Sequence, residues 1–353
     1  MILSMYSIDI TVFLFKKEGR VVGVCGPLPL SEGFGMQRPG RWLAVAGFFL
    51  WLIWKFSFSV EWLEFSIGFS LFILVPLLLE EAVKESRGNR AEHWLWQCLV
   101  CLLPFSIAGV LSLSTQAGWE AAAWGLIWFL YTLSVAVGGV WRFRLRQGAK
   151  VEELSIDVGF LYLAFAGLFL FISRLPIKNF GSLSTREWIV LALFFHGVAF
   201  LLAVITGFFG RYRKEMAVKP RKKVDRPYRF LVIMVLISPV IGFFSLLYGT
   251  EAIILSVAIF SVLLIWMCLW WFWLSVEFKP WVQTALILTS LMGFSIVGSA
   301  LWKGLSIGRL SSVGMLATIP PYGFFSALLF SWLIVFAWRG VNKPRRMMPE
   351  SDG

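Results

Sequence analysis

Apolar runs of about 20 residues recur along this 353-residue chain, separated by short polar segments. A helix that rises about 1.5 Å per residue needs about 20 residues to cross the roughly 30 Å of hydrocarbon in a bilayer. Backbone groups inside lipid must bond to one another, so that only helices and closed barrels can span it. Barrel strands read instead as alternating segments of about 10 residues. The runs therefore predict an all-α, polytopic integral membrane helical bundle.

The apolar runs divide the chain into three parts. Hydrophobic residues make up 59% of the sequence and charged residues only 15%, too few polar groups to cover a soluble core of this size. Residues 42–338 are predicted to form the transmembrane bundle, after an N-terminal extension (1–41) and before a basic tail (339–353). We predict ten spans, at residues 42–59, 61–80, 94–113, 119–140, 153–173, 187–209, 230–248, 252–276, 281–300 and 317–338.

The Lys and Arg residues predict the orientation of these spans. With a cytoplasmic N-terminus, 26 of the 32 basic residues fall in the inside segments. Basic residues concentrate on the cytoplasmic side of membrane proteins, and one missed span would invert every later loop. The distribution therefore predicts an N-in, C-in topology.

The Lys and Arg residues that produce the net charge of +12 lie mostly in the loops between spans. Because this placement is explained by topology, we expect no nucleic acid as a partner. Loop 210–229 carries nine Lys or Arg residues against two acidic ones. Such a run commonly serves only to fix topology. It also attracts anionic headgroups, by about 1 kcal/mol for each basic residue near the surface. We expect membrane lipids as partners, and we expect anionic lipids to bind at loop 210–229.

The N-terminal extension differs in character from the spans. Its first 15 residues are apolar but shorter than a span, and the basic run KKEGR follows them, the reverse of the order in a signal peptide. A basic lead-in to the first span begins at Met36. We hypothesise that the natural chain starts at Met36. An intact mass that includes residues 1–35 would contradict this.

Polar groups deep in a span are the first candidates for a ligand site, because lipid penalises them unless they are partnered or hydrated. His196 lies near the centre of the sixth span and suits a proton relay, a ligand contact or a packing hydrogen bond. Asp157 lies about one turn inside the cytoplasmic end of the fifth span, where it could also snorkel or favour the helix N-terminus. Tyr162 is a further candidate in that span. Asp157 and His196 differ in depth by roughly 11 Å, so we expect no direct contact between them.

Two further features are candidates for ligand binding. Pro320 and Pro321 interrupt the last span, where the lost backbone bonds expose carbonyl groups. Trp270 belongs to a group of tryptophans in the eighth span that fits an interfacial belt or the wall of an apolar ligand site: Trp266, Trp270, Trp271 and Trp273. Common hydrolase, phosphate-loop and zinc-protease motifs are missing, and the chain has two histidines. We expect no metal and no cofactor, and assign no catalytic residue.

Five segments occur in an order that resembles a known family. They are FILVPLLLE (72–80), LIWFLYTLSVAVGGVWR (126–142), SIDVGFLYLAFAGLFLFISR (155–174), FFHGVAFLLAVITGFFGR (194–211) and MLATIPPYGFF (315–325). Together they are similar to the YndJ-like family of bacterial multi-pass membrane proteins. The resemblance implies a helical protein of the bacterial cytoplasmic membrane. It implies no particular activity.

The chain departs from the pattern of that family in two spans. The sixth span of the family tends to read His-Phe-His, whereas here Phe194 takes the first position and His196 alone remains. The last span typically has His-Gly followed by Asn, and here the stretch has Ile319 and Pro320, then Gly323. Three functions stay open: a transporter or binder of a small or lipid-like solute, a membrane enzyme acting on an isoprenoid or lipid, and a non-catalytic scaffold.

Overall fold

The computed structural model of the protein describes residues 39–58, 61–83, 90–146, 150–177, 179–180, 183–216, 222–278, 280–306 and 329–337. Almost all of these residues are helical, which confirms the predicted helical bundle. The proposed start at Met36, the double proline Pro320–Pro321 and the basic tail lie outside the described residues.

The described helices are numbered in chain order. They are α1 (Pro39–Ser57), α2 (Trp62–Phe69), α3 (Val75–Val83), α4 (Arg90–Val100), α5 (Leu102–Ser114), α6 (Trp119–Leu145), α7 (Val151–Arg174), α8 (Thr185–Phe194), α9 (Phe200–Met216), α10 (Lys222–Tyr248), α11 (Thr250–Leu274), α12 (Pro280–Ser306) and α13 (329–337). Two π-helical segments interrupt the series: π1 (Ser70–Leu74) joins α2 to α3, and π2 (Phe195–Ala199) joins α8 to α9. A two-stranded hairpin, β1 (Asn179–Phe180) with β2 (Leu183–Ser184), precedes α8.

Seven helical stretches of the described chain are long and apolar enough to cross a membrane. An eighth candidate is the pair α4 and α5, which meet at a bend of 55°. These eight correspond to the second to ninth predicted spans. The first predicted span matches α1, a helix of 19 residues that is not among the seven, and the tenth overlaps α13. The count of ten and the N-in, C-in orientation stay predictions.

Proline causes the irregular backbone of the second span. The helix takes π-type bonding just before Pro76, with the Val75 N–H bonded to the Ser70 carbonyl. Because proline has no N–H, the next bond in that register is missing and the Leu71 carbonyl is left free. Ser106 Oγ donates a hydrogen bond to this carbonyl at 3.1 Å. The proline therefore creates a bond between α5 and the second span.

Pro104 has a similar effect on the third span. It cannot donate to the Val100 carbonyl, and the span bends where α4 gives way to α5. Tyr131 of α6 donates its hydroxyl to the Cys98 carbonyl at 3.0 Å, one turn before the bend. The carbonyls near both breaks are thus bonded by side chains from neighbouring helices, as the interior of a membrane protein requires.

The first two spans pack through Gly47. A Cβ at this position would overlap the Phe72 carbonyl oxygen, in the turn of π1 that precedes Pro76. Small residues let membrane helices approach closely, and here the close neighbour is backbone that cannot rotate away. Gly47 is therefore required for this contact.

We expect Gly47→Ala to destabilise the folded protein by about 1–3 kcal/mol, because α1 must move away from the second span to admit the methyl group. The measurement is the unfolding midpoint of the purified protein in detergent. Gly298→Ala is the matched control, since a Cβ at Gly298 would meet no heavy atom within 4 Å. Equal effects of the two substitutions would contradict the close-packing explanation.

Candidate functional site: a buried histidine, an arginine network and an apolar cavity

His196 lies fully buried in π2, with its imidazole directed toward α6. The Trp128 Nε1–H donates a hydrogen bond to His196 Nε2 at 3.0 Å. An indole nitrogen can only donate, so Nε2 is the acceptor and the ring carries its proton on Nδ1. That Nδ1–H bonds to the Ala192 carbonyl at 2.8 Å. Both ring nitrogens are therefore engaged within the protein, and the histidine acts as a hydrogen-bond anchor between two spans.

Trp128 extends this anchor into a column of stacked rings. Its indole lies 5.9 Å from the His196 ring and 5.4 Å from Tyr131, which in turn stacks on Phe105 at 4.8 Å. The sequence interpretation overlooked Trp128. Unlike the tryptophans near span ends, it lies in the middle of a span, where its N–H needs an acceptor. That requirement is the sequence clue that points to a buried partner.

Asp157 pairs with Arg142 near the predicted cytoplasmic end of the bundle. The Arg142 Nε–H donates to Asp157 Oδ1 at 2.6 Å, and both side chains are buried. Another Arg142 nitrogen donates to the Ala82 carbonyl at 3.1 Å, near the C-terminus of α3. Desolvated charges of this kind need both a counter-ion and hydrogen bonds. Asp157 therefore serves as the counter-ion of a buried arginine, and its recorded contacts do not include His196.

Further charges extend the pair into what we call the arginine network: Glu92, Arg142, Arg146, Glu153, Asp157 and Arg211. Arg211 donates hydrogen bonds to both carboxylate oxygens of Glu153, at 2.7 and 2.8 Å, and to the Ala82 carbonyl at 3.4 Å. Arg146 bridges Glu153 and Glu92, the latter at 3.3 Å. The network connects α3, α4, α6, α7 and α9 at one end of the bundle.

Sequence interpretation counted these arginines only as topological charges. Arg142 is nevertheless three residues before the end of α6, and Asp157 is six residues after the start of α7. A short connection joins these two helices and brings residues on either side of it together. The opposite charges on either side of this connection were therefore the clue that paired Arg142 with Asp157.

Tyr162 contacts α10 next to an internal proline of that helix. Its hydroxyl donates to the Leu236 carbonyl, in the turn before Pro239. Pro239 cannot bond the Val235 carbonyl, which accepts instead from Ser238 Oγ at 3.3 Å. Tyr162 thereby holds α10 against α7.

Trp270 lies in an aromatic cluster near the predicted cytoplasmic end. Its ring is 5.2 Å from Phe209 and 6.1 Å from Trp266, and the Arg213 guanidinium lies 5.5 Å from its centre. These contacts fill the space around the ring. Trp270 is accordingly not among the residues that line the large cavity of the bundle.

A cavity of about 320 Å³ lies between the sixth span and α10, α11, α12 and α13. None of the described residues that line it is charged. Its walls are formed by aliphatic and aromatic side chains from four helices, such as Phe194 of α8, Leu246 of α10, Phe260 of α11 and Phe330 of α13. Four hydroxyl groups interrupt this surface: Ser245, Ser256, Ser261 and Ser331. The volume and lining match an apolar ligand site, in which a few polar groups set orientation.

His196 and the cavity lie on different faces of the sixth span. Phe194, Gly197, Val198 and Leu201 line the cavity, at the spacing of one helix face, whereas His196 is directed to α6. Phe194 packs edge-on against Phe260 at 5.3 Å. The position where the family pattern has its first histidine is therefore an apolar part of the cavity wall.

Metal-ligating side chains do not converge in the part of the chain that the structure describes, where no three His, Cys, Asp or Glu residues form a metal-binding group. Cys98 and Cys101, which are separated by two residues, differ in environment. Cys98 is buried with its sulfur 3.8 Å from Ser134 Oγ, and Cys101 is exposed at the bend. The chemistry available at the cavity is therefore that of hydroxyls and apolar surface.

Comparison with known proteins places the chain in a family. The model of the YndJ-like protein family matches residues 66–328, most of the chain. Uncharacterized membrane protein YndJ of Bacillus subtilis (strain 168) is 26% identical over 194 residues, which are 54% of this chain and 33% of that protein. The match thus spans about a third of the relative's length. No solved structure matches. The chain is a multi-pass helical membrane protein and belongs to the YndJ-like family.

Proposed function

We propose that this protein binds a lipid-like solute, with the apolar chain of the solute in the cavity between the sixth span and α10 to α13. The observation that carries the proposal is the cavity itself, about 320 Å³ with no charged group among its described lining. Burying apolar surface contributes about 25 cal/mol per Å² where water is displaced. An acyl chain that is already in lipid displaces no water, so its binding is favoured instead by van der Waals contact with a wall of matching shape. We place the protein in the cytoplasmic membrane of a bacterium.

The serines support a ligand that is apolar but not a pure hydrocarbon. Ser245 Oγ bonds to the Gly242 carbonyl at 2.7 Å within its own helix. Among the described residues, no hydrogen bond is recorded for Ser256 Oγ or Ser261 Oγ, one and a half turns apart on α11. Hydroxyls in such a wall orient a ligand through a carbonyl, ester or hydroxyl group. An amphiphile therefore fits better than an alkane.

The region between the cavity and the predicted cytoplasmic end supports binding over open passage. Thr206 Oγ1 contacts the Met267 sulfur at 3.7 Å, and Phe209 packs on Trp270. Trp271 is only 2% exposed in the same layer. A transporter needs access from both sides, so transport by this site would require α10 and α11 to move relative to the sixth span. The described lining also offers no acid–base pair, which favours binding over catalysis.

Val257 provides the test, because it lines the cavity whereas Val262 on the same helix is 61% exposed. We expect Val257→Trp to narrow the cavity and to reduce the lipid that co-purifies relative to wild-type protein. Lipid extraction and mass spectrometry of the purified protein measure this loss. Val262→Trp introduces the same side chain outside the cavity and should leave the bound lipid unchanged.

Two outcomes would contradict the proposal. One is a wild-type protein that retains no lipid beyond that of its detergent micelle after extensive washing. The other is equal retention by Val257→Trp and wild type, since the tryptophan occupies space that the bound chain would need. Unfolding midpoints of both variants establish that any loss of lipid does not come from misfolding.

A further inference from the structure

Acidic and basic residues are distributed differently at the predicted cytoplasmic end. The carboxylates of this end that the structure describes are buried or held by arginines: Glu80, Glu81, Glu92, Glu152, Glu153 and Asp157. Several basic side chains are exposed: Arg90, Arg144, Lys150, Lys214, Arg226 and Arg229. The surface there is therefore more basic than the count of acidic and basic residues indicates.

One part of this surface combines exposed arginines with aromatic rings that are exposed or half-buried. We call it the basic–aromatic patch and define it by Arg226, Arg229 and Phe230 of α10 with Trp266 and Trp273 of α11. Arg226 and Arg229 are one turn apart and so share a face of the helix. Among the described residues, no ion pair is recorded for either of them.

Two aromatic members of the patch, Phe230 and Trp266, lie at matching depths on two packed helices. Phe230 is 52% exposed and its ring is 6.0 Å from Trp266, two turns from the predicted cytoplasmic ends of α10 and α11. Trp273 is 72% exposed and lies near the end of α11. Rings of this kind favour the boundary between headgroups and acyl chains. The arginines come earlier in α10 and so lie on the headgroup side of the Phe230 and Trp266 pair.

Arg213 of α9 shows how this region accommodates a guanidinium group. It lies 5.3 Å from the Tyr228 ring and 5.5 Å from the Trp270 ring, on the inner side of the patch. Tyr228 is buried and its hydroxyl donates to the Thr206 carbonyl at 3.0 Å. The start of α10 is thus fixed to α9, which holds Arg226 and Arg229 in place at the surface.

We propose that the basic–aromatic patch binds an anionic phospholipid of the cytoplasmic leaflet. Arg226 and Arg229 would bind the phosphate, since a guanidinium matches the geometry of phosphate oxygens. Phe230 and Trp266 would contact the glycerol and the first part of the acyl chains, and Trp273, near the end of α11, would lie at the level of the headgroup. The Phe230 and Trp266 pair favours a lipid over a soluble phosphate, because it flanks the basic site on the side that faces the membrane interior. This site is separate from the cavity, whose lining includes none of the patch residues.

The test is native mass spectrometry of the full-length protein, purified in a mild detergent and titrated with phosphatidylglycerol or phosphatidylcholine. We expect phosphatidylglycerol to bind more tightly. We expect Arg226→Gln with Arg229→Gln to weaken this binding about thirtyfold, roughly fivefold for each basic residue near the anionic group. Arg90→Gln with Arg144→Gln is the matched control, because it removes two exposed charges of the same surface away from the aromatic rings.

Three results would overturn the proposal. In the first, the two lipids bind equally well. In the second, the two double variants weaken the binding of phosphatidylglycerol to the same extent, which would indicate an effect of general surface charge. Inorganic phosphate could displace phosphatidylglycerol when present at an equal concentration, which would indicate a soluble phosphate ligand. All four substituted residues are exposed, so unfolding midpoints equal to wild type are expected for both variants.

Discussion

Asp157→Leu is expected to destabilise the protein by about 3–5 kcal/mol, the largest effect of any single change considered for this fold. The substitution removes the counter-ion of Arg142, which is fully buried and keeps, among the described residues, only the Ala82 carbonyl as an acceptor. A buried charge without its partner is far more costly than the pair is favourable. Arg142→Met should also destabilise the protein, but less, since the buried Asp157 carboxylate keeps Arg146 at 3.8 Å.

A double-mutant cycle separates the cost of an orphaned charge from the value of the pair. Arg142→Met combined with Asp157→Leu removes both charges and retains much of the buried volume. We expect the double variant to be more stable than either single variant, because apolar residues can replace a buried ion pair at little cost. Unfolding midpoints in detergent, with lipid composition held constant, provide the four values.

Arg144→Met is the control for the loss of a basic residue as such, because Arg144 is exposed two residues after Arg142. Its stability should equal that of wild type. Additive effects of the two single substitutions in the cycle would contradict a direct pair. They would mean that Arg142 and Asp157 contribute independently to the arginine network.

The class of fold was predictable from the sequence because the length of apolar runs reflects the thickness of the bilayer. The exact partners were harder to predict. Asp157 was a candidate ligand residue, but its carboxylate belongs to Arg142, which the charge count had assigned to a loop. Positive-inside counting treats every basic residue as equivalent, whereas burial separates Arg142 from the exposed Arg144 beside it.

The cavity could not be predicted from polar residues, because nothing in its described wall is charged or an imidazole. His196 is a polar group that is costly in lipid, but its ring is directed away from the cavity. Phe194, two residues earlier, is the one that lines it. An apolar cavity arises from how several helices fail to fill the space between them, and this depends on crossing angles that composition does not reveal.

The arginine network and the cavity occupy different parts of the bundle. The network joins the second to sixth spans, whereas the cavity lies where the sixth span meets α10 to α13. The sixth span belongs to both, through Arg211 at one end and Phe194 nearer the other. Ligand binding at the cavity is therefore expected to change the hydrogen exchange of α10 to α13 more than that of the helices that the arginine network connects. Hydrogen exchange in the presence and absence of lipid would locate that difference.

His196→Ala is expected to destabilise the protein by about 3 kcal/mol and to leave lipid binding intact. The loss combines an empty volume in a packed core with a Trp128 N–H that no longer has its acceptor. His93→Ala is the matched control within the chain, because His93 is the other histidine and is exposed. It should leave the unfolding midpoint unchanged.

Two measurements on the same His196→Ala protein distinguish an anchor from a ligand contact. An anchor predicts a lowered unfolding midpoint with normal retention of co-purified lipid per folded molecule, since Phe194, Gly197 and Val198 still form the cavity wall. A ligand contact predicts the reverse, and that result would contradict the tautomer and bonding described for the ring. Trp128→Phe adds a further check. It should also lower the midpoint, because it removes the donor to His196 Nε2 while keeping an aromatic ring next to Tyr131.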